Sequence, residues 1–208
     1  GQSAFKALRC VLGPDGKTLL ADAFDYIEYG KILSQPDANP TELVRDAVAQ
    51  FLSRNKIKGD KVVISVPGQS GLARFIKLPP VETSKIPDIV RYEAKQQIPF
   101  PLEDVVWDYQ QLSGGATEDF ALECEVGLFA MKRDQVYKAM EPFTKADIEI
   151  DVIQLTPLAL YNFVLFDQMP DLPGDEMYDP DNPPESTVVI SMGTESTDLV
   201  VTNGYKVW

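Results

Sequence analysis

The sequence predicts a mixed α/β protein, and three features of the 208 residues predict it. Short runs rich in β-branched and aliphatic residues, at 8–12, 61–66 and 188–190, alternate with longer stretches whose apolar residues recur at helical spacing. Proline and glycine separate them at Gly13-Pro14-Asp15-Gly16, Pro67-Gly68 and Asn203-Gly204. Residues 91–109 join an amphipathic helix, an abrupt double-proline stop and a new strand. A chain of this length buries a sizeable core, as one large domain or two small ones. Its 44% hydrophobic and 25% charged residues are those of a globular protein.

Phe5, Ala7 and residues 8–12 predict a first strand, the Gly13–Gly16 turn reverses it, and residues 18–24 form the second strand of a hairpin. Asn39 and Pro40 supply a helix cap and first position. Leu43, Val44, Ala47, Val48, Phe51 and Leu52 form one apolar stripe, and the helix stops near Gly59. Lys61-Val62-Val63-Ile64-Ser65-Val66 reads as a strand covered on both faces. The pattern then changes: a strand at 72–78, a helix carrying Ile86, Ile89, Val90, Ala94 and Ile98, and a stop at Pro99 and Pro101, which lack the N–H and fix φ. Val105, Trp107 and Tyr109 alternate with Val106, Asp108 and Gln110, the mark of a strand with one apolar face. A polar turn at 113–119, a strand at 122–131 and a helix to about Lys145 follow. A strand at 148–153 and a helix from Pro157 to about Phe166 come next. Residues 169–185 carry five prolines and six acids and read as a solvated loop, with an acidic docking site as the alternative. Strands at 188–190, 197–201 and 205–208 close the chain.

Thirty-two acids against 19 bases give a net charge of −13, which repels a phosphate backbone and excludes nucleic acid as an expected partner. Histidine is absent, which removes a Ser-His-Asp triad, a Cys-His pair and histidine-ligated zinc. Cys10 and Cys124 each lie in an apolar run and read as buried, reduced, structural thiols, with a single disulfide as the alternative. No run approaches the roughly 20 apolar residues of a membrane span, and the first residues lack a secretory signal. The expected location is cytoplasmic. A start at Gly1 and an end at Trp208 in mid-strand read as a piece of a longer protein.

Residues 98–109, Ile-Pro-Phe-Pro-Leu-Glu-Asp-Val-Val-Trp-Asp-Tyr, closely resemble the PilM family of type IV pilus assembly proteins, which are actin-like and related to the division protein FtsA. The resemblance implies an actin-like, ribonuclease-H-like domain fragment carrying an inserted subdomain 1C. Its expected division is 1–68 as the first part of subdomain 1A, 69–147 as 1C and 148–168 as the remainder of 1A. The acidic loop 169–186 and a truncated start of subdomain 2A at 187–208 complete it.

Actin-like ATPases hold ATP between two hairpins whose small and hydroxyl residues approach the phosphates, because only backbone without a bulky side chain comes close enough to donate its N–H groups. Gly1-Gln2-Ser3-Ala4-Phe5-Lys6 resembles the first motif, DxGxSxxK, with one gap residue fewer. Residues 191–201 resemble the second, DxGxxxTD, with Ser191 in place of the aspartate. The phosphate-binding residues implied are Gly1, Gln2, Ser3, Lys6, Gly193, Thr194 and Thr197, for ATP and Mg²⁺ in the full-length protein. A serine at 191 is a neutral ligand and a poor base, so the expected activity is at most that of a weak ATPase. The resemblance further implies a scaffold at the inner membrane that takes the N-terminal cytoplasmic peptide of a PilN-like protein into a groove, with self-association left open. The helix 86–98 and the apolar side of 105–109 are candidates for that groove, or else belong to the subdomain core. The rival readings are an ATP hydrolase or phosphotransferase of the same fold and an FtsA-like filament-forming protein.

Overall fold

The computed structural model describes residues 1–57, 59–113, 120–121, 124–169, 172, 179 and 181–208, without the side chains of 113, 120 and 121. The chain divides into two compact units. One comprises Gly1–Ile64, Ala139–Val152 and Met192–Ser196, and the other Ser65–Lys138, Ile153–Ser191 and Thr197–Trp208.

In the first unit, strands β1 (Ala4–Leu12) and β2 (Leu19–Glu28) form an antiparallel ribbon with a register shift between Arg9 and Cys10. Its turn is fixed by Asp15, whose carboxylate accepts the Lys17 and Thr18 N–H groups at 3.0 and 2.9 Å, while Gly16 takes φ +65°. Helix α1 (Pro40–Arg54) begins where Asn39 accepts the Glu42 N–H. Its stripe lays Phe51 against Phe5, ring centroids 5.4 Å apart, and buries Ala47 and Val48 with Ala4 and Ile27. Phe143 meets the other side of Phe5 at 6.3 Å.

Several expectations shift here. Strand β2 runs on to Glu28, because residues 25–28 remain paired with 4–7. Helix α1 ends at Arg54, before Gly59: the Asn55 amide donates both to Phe51 O (3.0 Å) and to Asp25 (2.8 Å), which also takes Arg54 (3.1 Å). Cys10 is exposed, since residues 8–12 and 19–24 of the ribbon are all exposed. Strand β3 (Val63–Val66), which pairs with β9 (Val152–Leu155), is not covered on both faces, as Val63 is 59% exposed. Strand β9 starts later than expected. The Ile148 N–H is still bonded to Phe143 O, and Asp151 bonds Val62 through both its backbone N–H and its carboxylate.

In the second unit, β4 (Leu72–Leu78), β6 (Val105–Ser113) and β8 (Cys124–Lys132) form an antiparallel sheet in the order β4-β8-β6. All its strands come from 72–132. Helix α2 (Ile86–Gln97), entered through a 3-10 turn at Thr83–Lys85, closes one face. Ile86, Val90, Ala94 and Ile98 pack there on Leu78, Val105, Cys124, Val126, Leu128 and Ala130. The double-proline connection is pinned by Lys132, 4.0 Å from the Phe100 ring centroid, and by Arg133, which donates to Glu103 O at 2.7 Å. Two short strands, β5 (Val81–Glu82) and β7 (Phe120–Ala121), pair beside this sheet. Residues 122 and 123, where the sequence suggested that β8 starts, lie outside the described residues. The turn expected at 113–119 lies outside the described residues except for Ser113, and so does most of 169–185.

Helix α3 (Arg133–Thr144) follows the sheet. Helix α4 (Thr156–Phe163) opens with Thr156 donating to Val66 O at 2.9 Å and runs into a π-helical turn at Val164–Gln168. Strands β10 (Thr187–Met192) and β11 (Thr197–Thr202) pair as a hairpin. The third strand expected at 205–208 is a single Thr202–Val207 bridge, because the Asn203 side chain draws the Tyr205 and Lys206 N–H groups into a tight turn.

Candidate functional site

Two regions carry chemistry, one in each unit. In the first, the tip of the β10–β11 hairpin reaches the residues preceding β1. The Thr194 hydroxyl donates to the Ser3 hydroxyl at 3.1 Å, so one predicted residue from each phosphate half-site meets the other across 191 positions of sequence. Around Ser3 the backbone is fixed: its carbonyl accepts the Tyr29 N–H (3.0 Å), and the Gln2 carbonyl accepts the Leu33 N–H (2.9 Å). Beside it opens a cavity of about 390 Å³ lined by Ser3, Glu28, Tyr29, Lys31 and Gln35 among others. Burial raises the Tyr29 phenol above its ordinary pKa, and Lys31 is paired with Asp37.

The other predicted residues are placed differently. Lys6 lies on β1 opposite Tyr26, its ammonium 5.9 Å from that ring's centroid. The Gly193 N–H is already bonded to Ser196 O at 2.8 Å, and a Cβ at 193 would stand 2.9 Å from the same oxygen. Its own turn therefore demands this glycine. Gly1 is exposed, Ser191 stands exposed in β10, and Thr197 is exposed at the start of β11. Of these residues Ser3 and Thr194 meet, and their hydroxyls are groups of the kind that donate to a phosphate oxygen. A carboxylate-held Mg²⁺ fits less well: Ser191 offers no charge, and among the described residues no group of three or more acids or cysteines is placed to hold a metal ion. Sequence reasoning missed Ser34, whose hydroxyl donates to the Glu195 carboxylate, since neither residue belongs to a motif.

The second region is an apolar groove of about 240 Å³. Phe75 and Phe129 form one wall, on the sheet face away from α2. Pro157, Leu158 and Tyr161 of α4 form another, and Leu199 and Trp208 complete it. Phe75 is 45% exposed although Ile76 beside it on β4 packs against the core, so the groove is open to a ligand. The residues suggested for such a groove from the sequence are elsewhere: Ile86, Val90, Ala94, Ile98 and Val105 are closed in the core, with Trp107 and Tyr109 packed against it. The alternation of β4 held the missed signal. Leu72, Ile76 and Leu78 point to the core, which sends Ala73 and Phe75 to the opposite face.

Comparison with known proteins gives the family and the fold. The family model described as type IV pilus assembly protein PilM matches residues 16–207. No curated protein matches the chain. Among solved structures, a chain of the PilM-PilN type IV pilus biogenesis complex superposes with a TM-score of 0.74 at 21% identity, covering 100% of this chain and 57% of that one. The cytoplasmic domain of EpsL, an inner membrane component of the type II secretion system of Vibrio cholerae, superposes at 0.51 with 13% identity, covering 99% and 65% respectively. The fold is the actin-like α/β fold expected from the sequence. The chain spans less than two thirds of either structure. Among the described residues no helix is long and apolar enough to cross a membrane.

Proposed function

The chain belongs to the PilM family of type IV pilus assembly proteins, and on that premise we propose that it is part of an actin-like scaffold on the cytoplasmic side of the inner membrane, holding the N-terminal cytoplasmic peptide of a PilN-like membrane protein. The groove of Phe75, Phe129, Leu158, Tyr161 and Trp208 carries the reading. It is apolar, open and sized for one or two aliphatic side chains of an extended peptide, the form in which anchors enter pockets while main-chain bonds fix register. The PilN of the solved complex supports the choice of partner. A net charge of −13 disfavours direct attachment to anionic lipid, so a partner supplies the tether.

Titration calorimetry of the full-length protein with a synthetic peptide from the cytoplasmic end of the PilN-like partner tests this. Phe75→Glu places a charge in the groove and weakens binding at least about tenfold, with thermal stability retained because Phe75 lies outside the core. Absence of heat with the unaltered protein refutes the proposal.

A second reading concerns the Ser3–Thr194 meeting. In the full-length protein Gly1, Gln2, Ser3 and Lys6 on one side, with Gly193, Thr194 and Thr197 on the other, receive the phosphates of ATP. ATP supplies the anionic chain that these hydroxyl and amide groups orient. Ser191 contributes neither a metal ligand nor a base, so turnover is weak or absent. ATP titration with and without Mg²⁺ tests this reading; lack of binding in both ends it.

A further inference from the structure

The hairpin tip at Gly193–Ser196 is tied down by two consecutive side chains. Thr194 donates to Ser3, and Glu195 accepts from Ser34. Ser34 is not a free end, because its loop is bonded to the backbone that carries Ser3, through Leu33 N to Gln2 O at 2.9 Å and Tyr29 N to Ser3 O at 3.0 Å. The tip is also closed on itself by the bond from Gly193 N to Ser196 O. The Thr194 hydroxyl proton and the Gly193 amide, both assigned to phosphate in the preceding reading, are thus already donated within the protein, and Ser3 is the oxygen that receives the first of them. The Glu195 carboxylate stands beside them, where it repels an anion.

We infer that the Glu195–Ser34 and Thr194–Ser3 contacts form an autoinhibitory latch, which an incoming phosphate group must open before it binds. The inference rests on the nucleotide reading of the site. A ligand that binds only the open tip has an apparent affinity lowered by the fraction of protein that is open, so loosening the latch tightens binding. Ser34→Ala removes the tie while leaving the Glu195 charge in place, and Glu195→Gln removes the charge while leaving an acceptor for Ser34. Ser34 lies outside the phosphate-binding residues, and Ser34→Thr restores its hydroxyl.

The experiment uses full-length protein, ATP as the calorimetric probe, and hydrogen exchange of the 192–197 segment without ATP. For Ser34→Ala the expected result is about two- to fivefold tighter ATP binding, the yield of one exposed hydrogen bond. Exchange at the tip rises with it, and Ser34→Thr behaves as the unaltered protein. If the unaltered protein binds ATP and Ser34→Ala binds it no better, the latch is overturned while the nucleotide reading stands. Tightening by Glu195→Gln alone overturns it also, in favour of simple charge repulsion. If ATP binds to neither protein, the nucleotide reading fails and the gating role fails with it, whatever the exchange at the tip. Binding by Ser34→Ala where the unaltered protein shows none is the strongest support.

Discussion

Gly127 occupies the middle of β8, opposite Phe75 on one neighbour and Gln110 on the other, on the face away from α2. A Cβ built there would lie 2.8 Å from Cζ and 3.0 Å from Cε2 of Phe129, and 3.1 Å from Cδ1 of Leu112. These atoms are the far ends of side chains, so Gly127→Ala displaces the Phe129 ring and leaves the strand in place. Two opposed effects set the stability change. Alanine restricts the unfolded chain and gains about 0.5–1 kcal/mol, while the ring gives up part of the roughly 1.5–3 kcal/mol that full burial of a phenylalanine provides. The net change is within about 1 kcal/mol, or a melting shift of about 2–4 °C. The groove loses a wall. Withdrawal of one aromatic contact weakens the PilN-like peptide by about ten- to a hundredfold if the ring's burial energy is realised in the complex. Calorimetry of the peptide, paired with a thermal melt of the same preparation, reads both quantities. Peptide affinity within about twofold of the unaltered protein, at unchanged stability, refutes the assignment of Phe129 to the binding surface.

The remaining predictions concern the fold and its titrating groups. Val90 is fully buried under the sheet, so Val90→Ala destabilises by about 1.5–3 kcal/mol in urea unfolding; Tyr92→Ala, on the opposite face of the same helix and 62% exposed, stays within about 0.5 kcal/mol. The Asp15 carboxyl is lowered from 3.8 to about 2, first by the Thr18 hydroxyl and then by the Lys17 and Thr18 N–H groups. A lowered folded value means that its contribution to stability is full above pH 3.8 and fades as pH falls towards 2, and Thr18→Val moves the carboxyl titration, followed by NMR, back towards 3.8. A thiol reagent labels Cys10 in the native protein and reaches Cys124 only after unfolding, since Cys10 is exposed and burial raises the Cys124 thiol; equal labelling of both in the native state contradicts the packing.

Elements whose pattern reports one-sided burial were legible. The spacing of Ile86, Val90, Ala94 and Ile98 is the period of a helix with one covered face, and all four are in the core. Val105, Trp107 and Tyr109 face that core with the period of a strand. Features set by distant partners were not legible. The end of α1 depends on Asp25, 30 residues before Asn55. The exposure of Cys10 depends on how far the ribbon projects, and the apolar run around it is the same in either case. Val63 belongs to a β-branched run that suits a covered strand, yet exposure is decided by which neighbours arrive. Each of the two segments proposed to receive phosphate could be read as a local motif. The tie between Ser34 and Glu195 joins two residues with no motif to announce them.

The groove has a simpler origin than its distance in sequence suggests. One sheet presents two apolar faces, and α2 covers only one of them, leaving Phe75 and Phe129 on the other. What brings α4 to that second face is the small size of two residues between β3 and β4. A Cβ at Gly68 would lie 2.8 Å from Cγ of Pro157, and one at Gly71 would lie 2.7 Å from Cδ2 of Leu155. Pro157 is a rigid ring at the first turn of α4, so a larger residue at 68 has no flexible side-chain end to push aside and must move the helix itself. Gly68 and Gly71 lie just before β4, and from the sequence Pro67-Gly68 reads as punctuation between strands. In the folded chain they set the separation of the two walls, and with Gly127 beneath Phe129 they fix the width available to a bound side chain.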